Sequence, residues 1–248
     1  MKKPRDRLYQ EIAGRLIADI AAGGYQPGDR LPTERELAAS YDVSRPTIRE
    51  AIIALEVQGF VEVRMGSGAY LLRLPGKDEE PDFGVSAFEL SEARWLVESE
   101  CAALAAVNIT DEELANLARL VEKISAENEE AGGREEADRE FHLAIARATR
   151  NAAMEKVVAQ LWDLRANSPE SALLHAKARM ADVKPVVQEH ADILEGLKTR
   201  DPARARQAMQ DHLTAVIDSL LFATEEQAIA DARKAYGSRR ARFDRLAS

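Results

Sequence analysis

The chain has four histidines, at positions 142, 175, 190 and 212, and a carboxylate precedes the first of them closely. Asp138 and His142 are four residues apart, so a helix would place them on one face. His190 and His212 fall on two later predicted helices. Three imidazoles and a carboxylate projecting into a helical core make a plausible site for a divalent transition metal. Taken singly, a histidine is more often a core or surface residue, so the residues alone leave both interpretations open.

A second group of candidate residues lies near the N-terminus. Ser44 is followed by Arg45, Thr47 and Arg49, and the two arginines are four residues apart on one predicted helix face. Arginine can pair in bidentate fashion with O6 and N7 of guanine. Arg35, on the preceding predicted helix, is placed for a phosphate or a base. Two arginines at this spacing also occur on ordinary solvated helices, so the surrounding elements must decide.

Those elements predict a winged helix-turn-helix. A first helix carries apolar residues at helical spacing, and Thr33 with Glu36 forms a capping box that starts a second. The helix after Ser44 is the third. Two β-prone runs, 60–63 and 69–72, surround a glycine-containing loop whose tip includes Gly66. Together with this order of elements, the arginines predict a DNA-reading domain.

The rest of the chain is predicted to be helical. Length and pattern predict these parts: a winged helix-turn-helix domain over 1–74, a linker over 75–86, an all-helical domain over 87–232, and a basic tail over 233–248. The expected helices of the third part are roughly 87–107, 111–131, 135–149, 151–166, 170–199 and 202–231, with Pro185 kinking or splitting the fifth. The fold class is therefore mostly α, a winged helix-turn-helix joined to an antiparallel bundle.

Composition excludes several classes of protein. The chain has 248 residues and one cysteine, Cys101, which excludes a disulfide scaffold and a cysteine-rich zinc site. Its longest apolar run, 101–107, is far shorter than the ~20 residues of a membrane helix. The first residues have no apolar stretch typical of a secretory signal. We therefore expect a cytoplasmic protein without a membrane partner.

The net charge of −9 is unevenly distributed. Residues 1–74 carry 11 Lys and Arg against 10 Asp and Glu, residues 75–232 carry 17 against 32, and residues 233–248 carry 6 against 1. The acidic excess belongs to the predicted bundle, so the whole-chain value does not argue against DNA as the partner of the first domain.

The first domain resembles the N-terminal domain of GntR-family bacterial regulators. The resemblance rests on Pro-Gly-Asp-Arg-Leu-Pro-Thr-Glu-Arg-Glu-Leu-Ala-Ala at 27–39, Val-Ser-Arg-Pro-Thr-Ile-Arg-Glu-Ala-Ile-Ile-Ala-Leu at 43–55, and Gly-Phe-Val-Glu-Val at 59–63. It implies that Arg35, Arg45, Thr47, Arg49 and Gly66 contact a double-stranded DNA operator.

The helical part resembles the FCD ligand-binding domain of the FadR subfamily. The matching blocks are 137–146, Glu189-His190 and 211–213. In metal-bearing members of that subfamily, the positions that match Asp138, His142, His190 and His212 hold an ion. The resemblance implies Zn, Ni or Mn and does not choose among them.

An effector pocket beside such an ion has several candidate residues. The subfamily's match to Arg94 often faces the effector, and Arg165 is a second guanidinium, with Trp162 as a flat apolar wall. Surface ion pairs and plain core packing explain these three residues equally well. The remaining candidates are Arg150, Asn151 and His175. The chain also resembles hexuronate-utilisation repressors of the UxuR/ExuR type, at Tyr9-Gln10-Glu11, Phe88-Glu-Leu, 141–151 and 162–169. This resemblance implies a small carboxylate effector such as a sugar acid.

The function these features predict is that of a ligand-responsive transcriptional repressor, which binds a palindromic operator as a homodimer. A metal-dependent hydrolase or isomerase that uses the Asp/His cluster is the alternative. Against it, the chain has no His-Glu-x-x-His pair and no identifiable general base beside the ligands. A repressor whose pocket binds nothing is a third possibility.

Overall fold

The computed structural model describes residues 8–64, 67–76, 84–129, 135–180 and 186–219, with the side chains of 175–180 left out. The predicted wing residue Gly66 and the basic tail 233–248 therefore lie outside the described residues. The chain divides into two compact units at Ser86 and Ala87. None of the helices in the described ranges is long and apolar enough to cross a bilayer.

The first unit begins with three helices, α1 (Leu8–Ala22), α2 (Glu34–Tyr41) and α3 (Arg45–Val57). Thr33 closes the predicted capping box of α2, because its hydroxyl accepts from Glu36 N while the Glu36 carboxylate accepts from Thr33 N. Ser44 caps α3 by accepting from Thr47 N. The two helices thus begin where their capping residues stand.

A small sheet completes the first unit. Strands β1 (Val61–Arg64) and β2 (Gly68–Leu71) pair antiparallel, with Val61 opposite Leu71. Residues 28–31 lie along β2 and exchange backbone hydrogen bonds with it, including Leu31 N to Ala69 O at 2.8 Å. The sequence of this segment carries no alternating apolar pattern that would predict a strand. The apolar faces of α1 and α3 pack together and form the core of this unit with residues from the sheet.

The described end of the linker is fastened to this same unit. Tyr9, which is buried on α1, donates from its hydroxyl to Gly84 O at 2.8 Å. Ser86, also buried, donates from its hydroxyl to the Glu50 carboxylate of α3 at 2.5 Å. Helices α1 and α3 of the first unit therefore hold the residues that directly precede the second unit.

The described part of the second unit is helical. Its helices are α4 (Ala87–Asn108), α5 (Asp111–Glu129), α6 (Glu136–Ala148), α7 (Ala152–Asn167), α8 (Pro169–Met180), α9 (Val187–Lys198) and α10, described over 202–219. The predicted fifth helix is therefore split into α8 and α9. Together with the hairpin of the first unit, this confirms the fold class predicted from the sequence.

The core of the second unit brings three helices around α6. Helix α6 packs against α4, α5 and α7, while α9 packs against α4 and α5. Phe141 and Ile145 of α6 lie one turn apart and are fully buried, whereas Glu140 and Arg147 of the same helix are exposed. Asp138 and His142 are buried with the apolar residues, so this helix carries polar side chains into the core.

Alanine substitutions at two glycines of the first unit test its backbone conformation. Gly59 has φ +69°, a left-handed conformation that disfavours side chains, although space around it is open. We expect Gly59→Ala to destabilise the protein by about 1 kcal/mol. Gly14 is helical with equally open surroundings, so Gly14→Ala should stabilise by up to about 1 kcal/mol. Thermal denaturation of the two variants would measure both; equal shifts in one direction would contradict the prediction.

Candidate functional site

Four predicted ligands from three helices meet in the core of the second unit. Asp138 and His142 come from α6, His190 from α9 and His212 from α10. All four are buried, and each offers one ligand atom within 4.8 Å of the others. The structure therefore brings together residues that lie up to 74 positions apart in the sequence. The arrangement is a cluster that could hold a metal.

Outer partners orient two of the imidazoles. The Nδ1 atom of His190 lies 3.0 Å from the carbonyl oxygen of Val186, and its Nε2 lies 2.9 Å from Asp138 Oδ1. The Nδ1 atom of His212 lies 2.8 Å from Glu189 Oε2. Metal-binding histidines usually donate their second ring N–H to a carbonyl or carboxylate in this way, which fixes the tautomer and the ring orientation.

The third imidazole, His142, is held by a carboxylate of α4. Its Nδ1 atom contacts Oε2 of Glu98, and the other oxygen of Glu98 accepts from Arg94 Nε at 2.7 Å. Arg94 and Glu98 are buried, with side chains 4% and 2% exposed. Burial alone would raise the pKa of Glu98, but Arg94 and His142 lower it to about 2. The Glu98 carboxylate is therefore ionised and shared between a guanidinium and an imidazole.

The protonation states of Asp138 and His212 suit ligands. Burial would raise the pKa of Asp138, but the neighbouring imidazoles of His142 and His190 hold it well below its usual value. Burial lowers the pKa of His212 to about 4, against the effect of Glu189. Burial also acts to lower the pKa of His142, but the neighbouring carboxylates raise it. An ionised carboxylate and a neutral His212 are the forms that bind a cation.

These residues fit a divalent metal. The Nε2 atom of His142 is buried, lies 3.4 Å from Asp138 Oδ1 and makes no hydrogen bond within the described part of the chain. Asp138 and Glu98 are both ionised, and Arg94 balances one of these charges. The remaining negative charge favours a cation among the four donors. Imidazole nitrogen with one carboxylate oxygen is a donor set of first-row transition metals.

Three of the predicted effector residues lie beside the cluster. The ring of Trp162 is 5.3 Å from the ring of His142, centroid to centroid, and is buried. The guanidinium carbon of Arg94 lies 4.2 Å from the Trp162 ring centroid, and that of Arg165 lies 4.7 Å from it. Arg165 forms an ion pair with Glu135, the residue before α6. The predicted flat wall and two guanidiniums are therefore neighbours, and both guanidiniums carry carboxylate partners.

The other three effector candidates stand elsewhere or cannot be placed. Arg150 follows the C-terminal end of α6 and pairs with Glu113 at 2.7 Å. Asn151 is the N-cap of α7, where its side chain accepts from the backbone N–H groups of the first turn. The contacts of these two residues are explained by their local structure. The side chain of His175 lies outside the described residues.

The DNA-reading candidates occupy the helix-turn-helix of the first unit. Arg35 on α2 and Arg45 at the start of α3 are both exposed. Thr47 is half-buried, and its hydroxyl lies 2.8 Å from the hydroxyl of Ser44. The N-terminal turn of a recognition helix is the part that reaches base edges in the major groove. Arg45 and Thr47 stand at that turn.

Arg49 differs from the expectation that it shares an exposed helix face with Arg45. It is 4% exposed, and it donates from Nε and Nη2 to the two carboxylate oxygens of Glu34 at 3.2 and 2.9 Å. Glu34 begins α2, so this bidentate pair ties α2 to α3. A spacing of four residues placed Arg49 near Arg45 along the helix, but it could not show that α2 covers that position.

Three carboxylates of the site were missed by sequence reasoning. Glu98 follows Arg94 by one helical turn, a spacing that could have indicated the pair. Glu189 precedes His190 and partners a histidine of the next helix instead. Glu135 meets Arg165 across 30 positions of sequence, which no local spacing predicts.

A helix-turn-helix unit joined to a helical unit is an architecture of transcriptional regulators. Comparison with known proteins agrees with this class. Residues 8–71 match the family "Bacterial regulatory proteins, gntR family", and residues 89–215 match the FCD domain. The chain therefore belongs to the GntR family of bacterial regulators and carries an FCD domain.

Relatives along most of the chain carry regulator names. The Uxu operon regulator of Haemophilus influenzae is 37% identical over 84% of this chain and 80% of its own length. The Exu regulon transcriptional regulator of Escherichia coli K12 is 38% identical over 85% and 83%. The Uxu operon transcriptional regulator of the same strain is 39% identical over 87% of both chains. The predicted resemblance is confirmed, and the chain is a transcriptional regulator rather than an enzyme.

The outer partner of His212 offers a test of the cluster. We expect Glu189→Gln to weaken the binding of Zn²⁺, Ni²⁺ or Mn²⁺ by about 10- to 100-fold, because His212 loses the charged group that orients it. Glu195→Gln on the same helix removes an exposed charge that pairs with Lys198 and serves as the control. Competition with a chelating dye measures both affinities. Equal affinities in the two variants would contradict the role of Glu189.

Proposed function

We propose that the protein is a repressor whose affinity for a palindromic operator is controlled by a sugar acid bound beside a divalent metal. The observation that carries the proposal is the position of the Asp138 cluster next to Trp162 and two arginines. A metal supplies a Lewis-acidic position for a carboxylate or hydroxyl oxygen, and guanidinium groups suit carboxylates. The names of the Uxu and Exu relatives support a hexuronate among the possible sugar acids.

The residues of the site have separate roles in this proposal. Asp138, His142, His190 and His212 would hold the metal. Glu98 keeps the His142 ring in place, and Glu189 does the same for His212. Trp162 is the buried ring against which both guanidiniums lie, and Arg165 is the guanidinium nearer the outside. The metal could be Zn²⁺, Ni²⁺ or Mn²⁺, since each accepts imidazole and carboxylate donors.

On DNA, Arg35, Arg45, Thr47 and Gly66 would contact the operator, with Arg45 reading bases. The Glu34 partner of Arg49 gives that residue a positioning role, and a phosphate contact would require it to exchange or share this partner. The basic tail 233–248 is not needed for the proposal.

Two copies of the chain would bind the operator together, because one recognition helix covers one half-site. Leu96, Leu104 and Val107 are exposed on one side of α4, at 62%, 44% and 65%. Exposed apolar side chains grouped in this way are typical of an interaction surface. They support a second copy of the chain as the partner.

Arg45 tests the DNA part of the proposal. An operator selected from random-sequence DNA by the protein itself should bind Arg45→Ala more weakly by about 1–3 kcal/mol per half-site, because a bidentate base contact is lost. Arg139→Ala removes the same charge from an exposed pair of the second unit and should bind normally. Fluorescence anisotropy measures both. Unchanged operator affinity in Arg45→Ala would refute its role as a base-reading residue.

His190 tests the effector part. We expect D-glucuronate or D-galacturonate to raise the denaturation midpoint of the metal-loaded protein, and a chelator to abolish the shift. His190→Ala should lose metal binding and sugar-acid binding together. Gln188→Ala changes an exposed residue of the same helix and should behave as the parent. A parent protein that responds to no sugar acid would instead support a pocket that binds nothing.

A further inference from the structure

Each guanidinium beside the cluster already holds a carboxylate of the chain itself. Arg94 is bound by Glu98, and Arg165 is bound by Glu135. A ligand that uses a carboxylate to bind either arginine must therefore displace or share a resident partner. The two pairs differ in how readily they could exchange.

The Arg94 pair is locked in place. Its side chains are 4% and 2% exposed, and Glu98 also contacts His142. Removing Glu98 from Arg94 would leave a buried carboxylate with a single partner and disturb a candidate metal ligand. Stranding a buried charge costs several kcal/mol. Exchange at Arg94 is therefore unfavourable.

The Arg165 pair is nearer the surface than the Arg94 pair. Its side chains are 14% and 15% exposed. Glu135 is the N-cap of α6, yet its side chain makes no capping hydrogen bond. The carboxylate of Glu127 accepts from Ala137 N in the first turn instead, at 3.2 Å. The helix therefore does not need the Glu135 side chain for its own capping.

The surroundings of Arg165 also contain an unused donor. The indole Nε1 of Trp162 is buried and makes no hydrogen bond among the residues that the structure describes. A buried donor without a partner is uncommon in folded proteins and points to an acceptor that arrives from outside. Trp162 lies against the guanidinium of Arg165. A ligand bound at Arg165 would therefore lie close to the Trp162 ring.

We propose that Glu135 is a resident carboxylate that occupies Arg165 until the carboxylate of the effector displaces it. This inference rests on the proposed sugar-acid function. Replacing one carboxylate by another keeps the charge of Arg165 neutralised, so the exchange costs little for an acidic ligand. A neutral sugar would break the pair without replacing it. Glu135 thereby sets the affinity of the site and restricts it to carboxylates.

Glu135→Gln is the direct test, because it keeps the shape of the side chain and removes the competing charge. We expect the affinity of the metal-loaded protein for D-glucuronate or D-galacturonate to rise about tenfold, which corresponds to about 1.4 kcal/mol. Metal affinity should not change. Glu140→Gln alters an exposed pair of the same helix with Arg147 and should leave sugar-acid affinity unchanged. Isothermal titration calorimetry measures all of these affinities.

A second variant and a neutral probe complete the design. Glu135→Ala should also raise the affinity, so a folding defect in one variant does not decide the result. The methyl ester of the same sugar acid should bind Glu135→Gln and the parent more weakly than the acid does. Unchanged or lower sugar-acid affinity in both variants, with a parent that binds, would overturn the inference alone. A parent that binds no sugar acid would overturn the effector proposal and this inference with it.

Discussion

The carboxylate of Glu98 is the group on which the polar core of the second unit depends. It is buried between the guanidinium of Arg94 and the imidazole of His142, and these three residues belong to two different helices. A buried carboxylate is costly unless it is paired and hydrogen-bonded. The geometry of α4 against α6 is therefore fixed by charge as well as by packing. The position of the His142 ring, and of the candidate ligand cluster, therefore depends on how α4 packs against α6.

A comparable constraint shapes the first unit on a smaller scale. Glu34 and Arg49 form a bidentate pair that sets α2 against α3, and the caps at Thr33 and Ser44 set where those helices begin. The apolar core beneath them supplies most of the stability, but hydrophobic contacts do not fix how one helix is oriented against another. The Glu34–Arg49 pair and the two caps fix that orientation. They leave Arg45 exposed at the first turn of α3, where a recognition helix meets DNA.

Local sequence rules were sufficient for the capped helix starts and for placing Asp138 and His142 on one helix face, whereas His190 and His212 were added by the resemblance to the FCD domain. Capping boxes are short-range, and the Asp138–His142 spacing is one helical turn, so both could be predicted from the sequence. The strand-like segment 28–31 and the burial of Arg49 could not, because each depends on a neighbour that arrives from elsewhere in the chain. The carboxylates that contact the ligand histidines, Glu98 and Glu189, could not be predicted for the same reason. Which carboxylate meets which histidine depends on how the helices pack, and the sequence pattern predicts helices but not their packing.

Tyr9 and Glu50 hold Gly84 and Ser86 to the first unit, so that unit extends past its sheet and ends at Ser86. A fragment cut after Leu71 would lose both hydrogen bonds, each of which contributes about 0.5–1.5 kcal/mol. Ser86 is therefore the boundary at which the first unit should be expressed on its own.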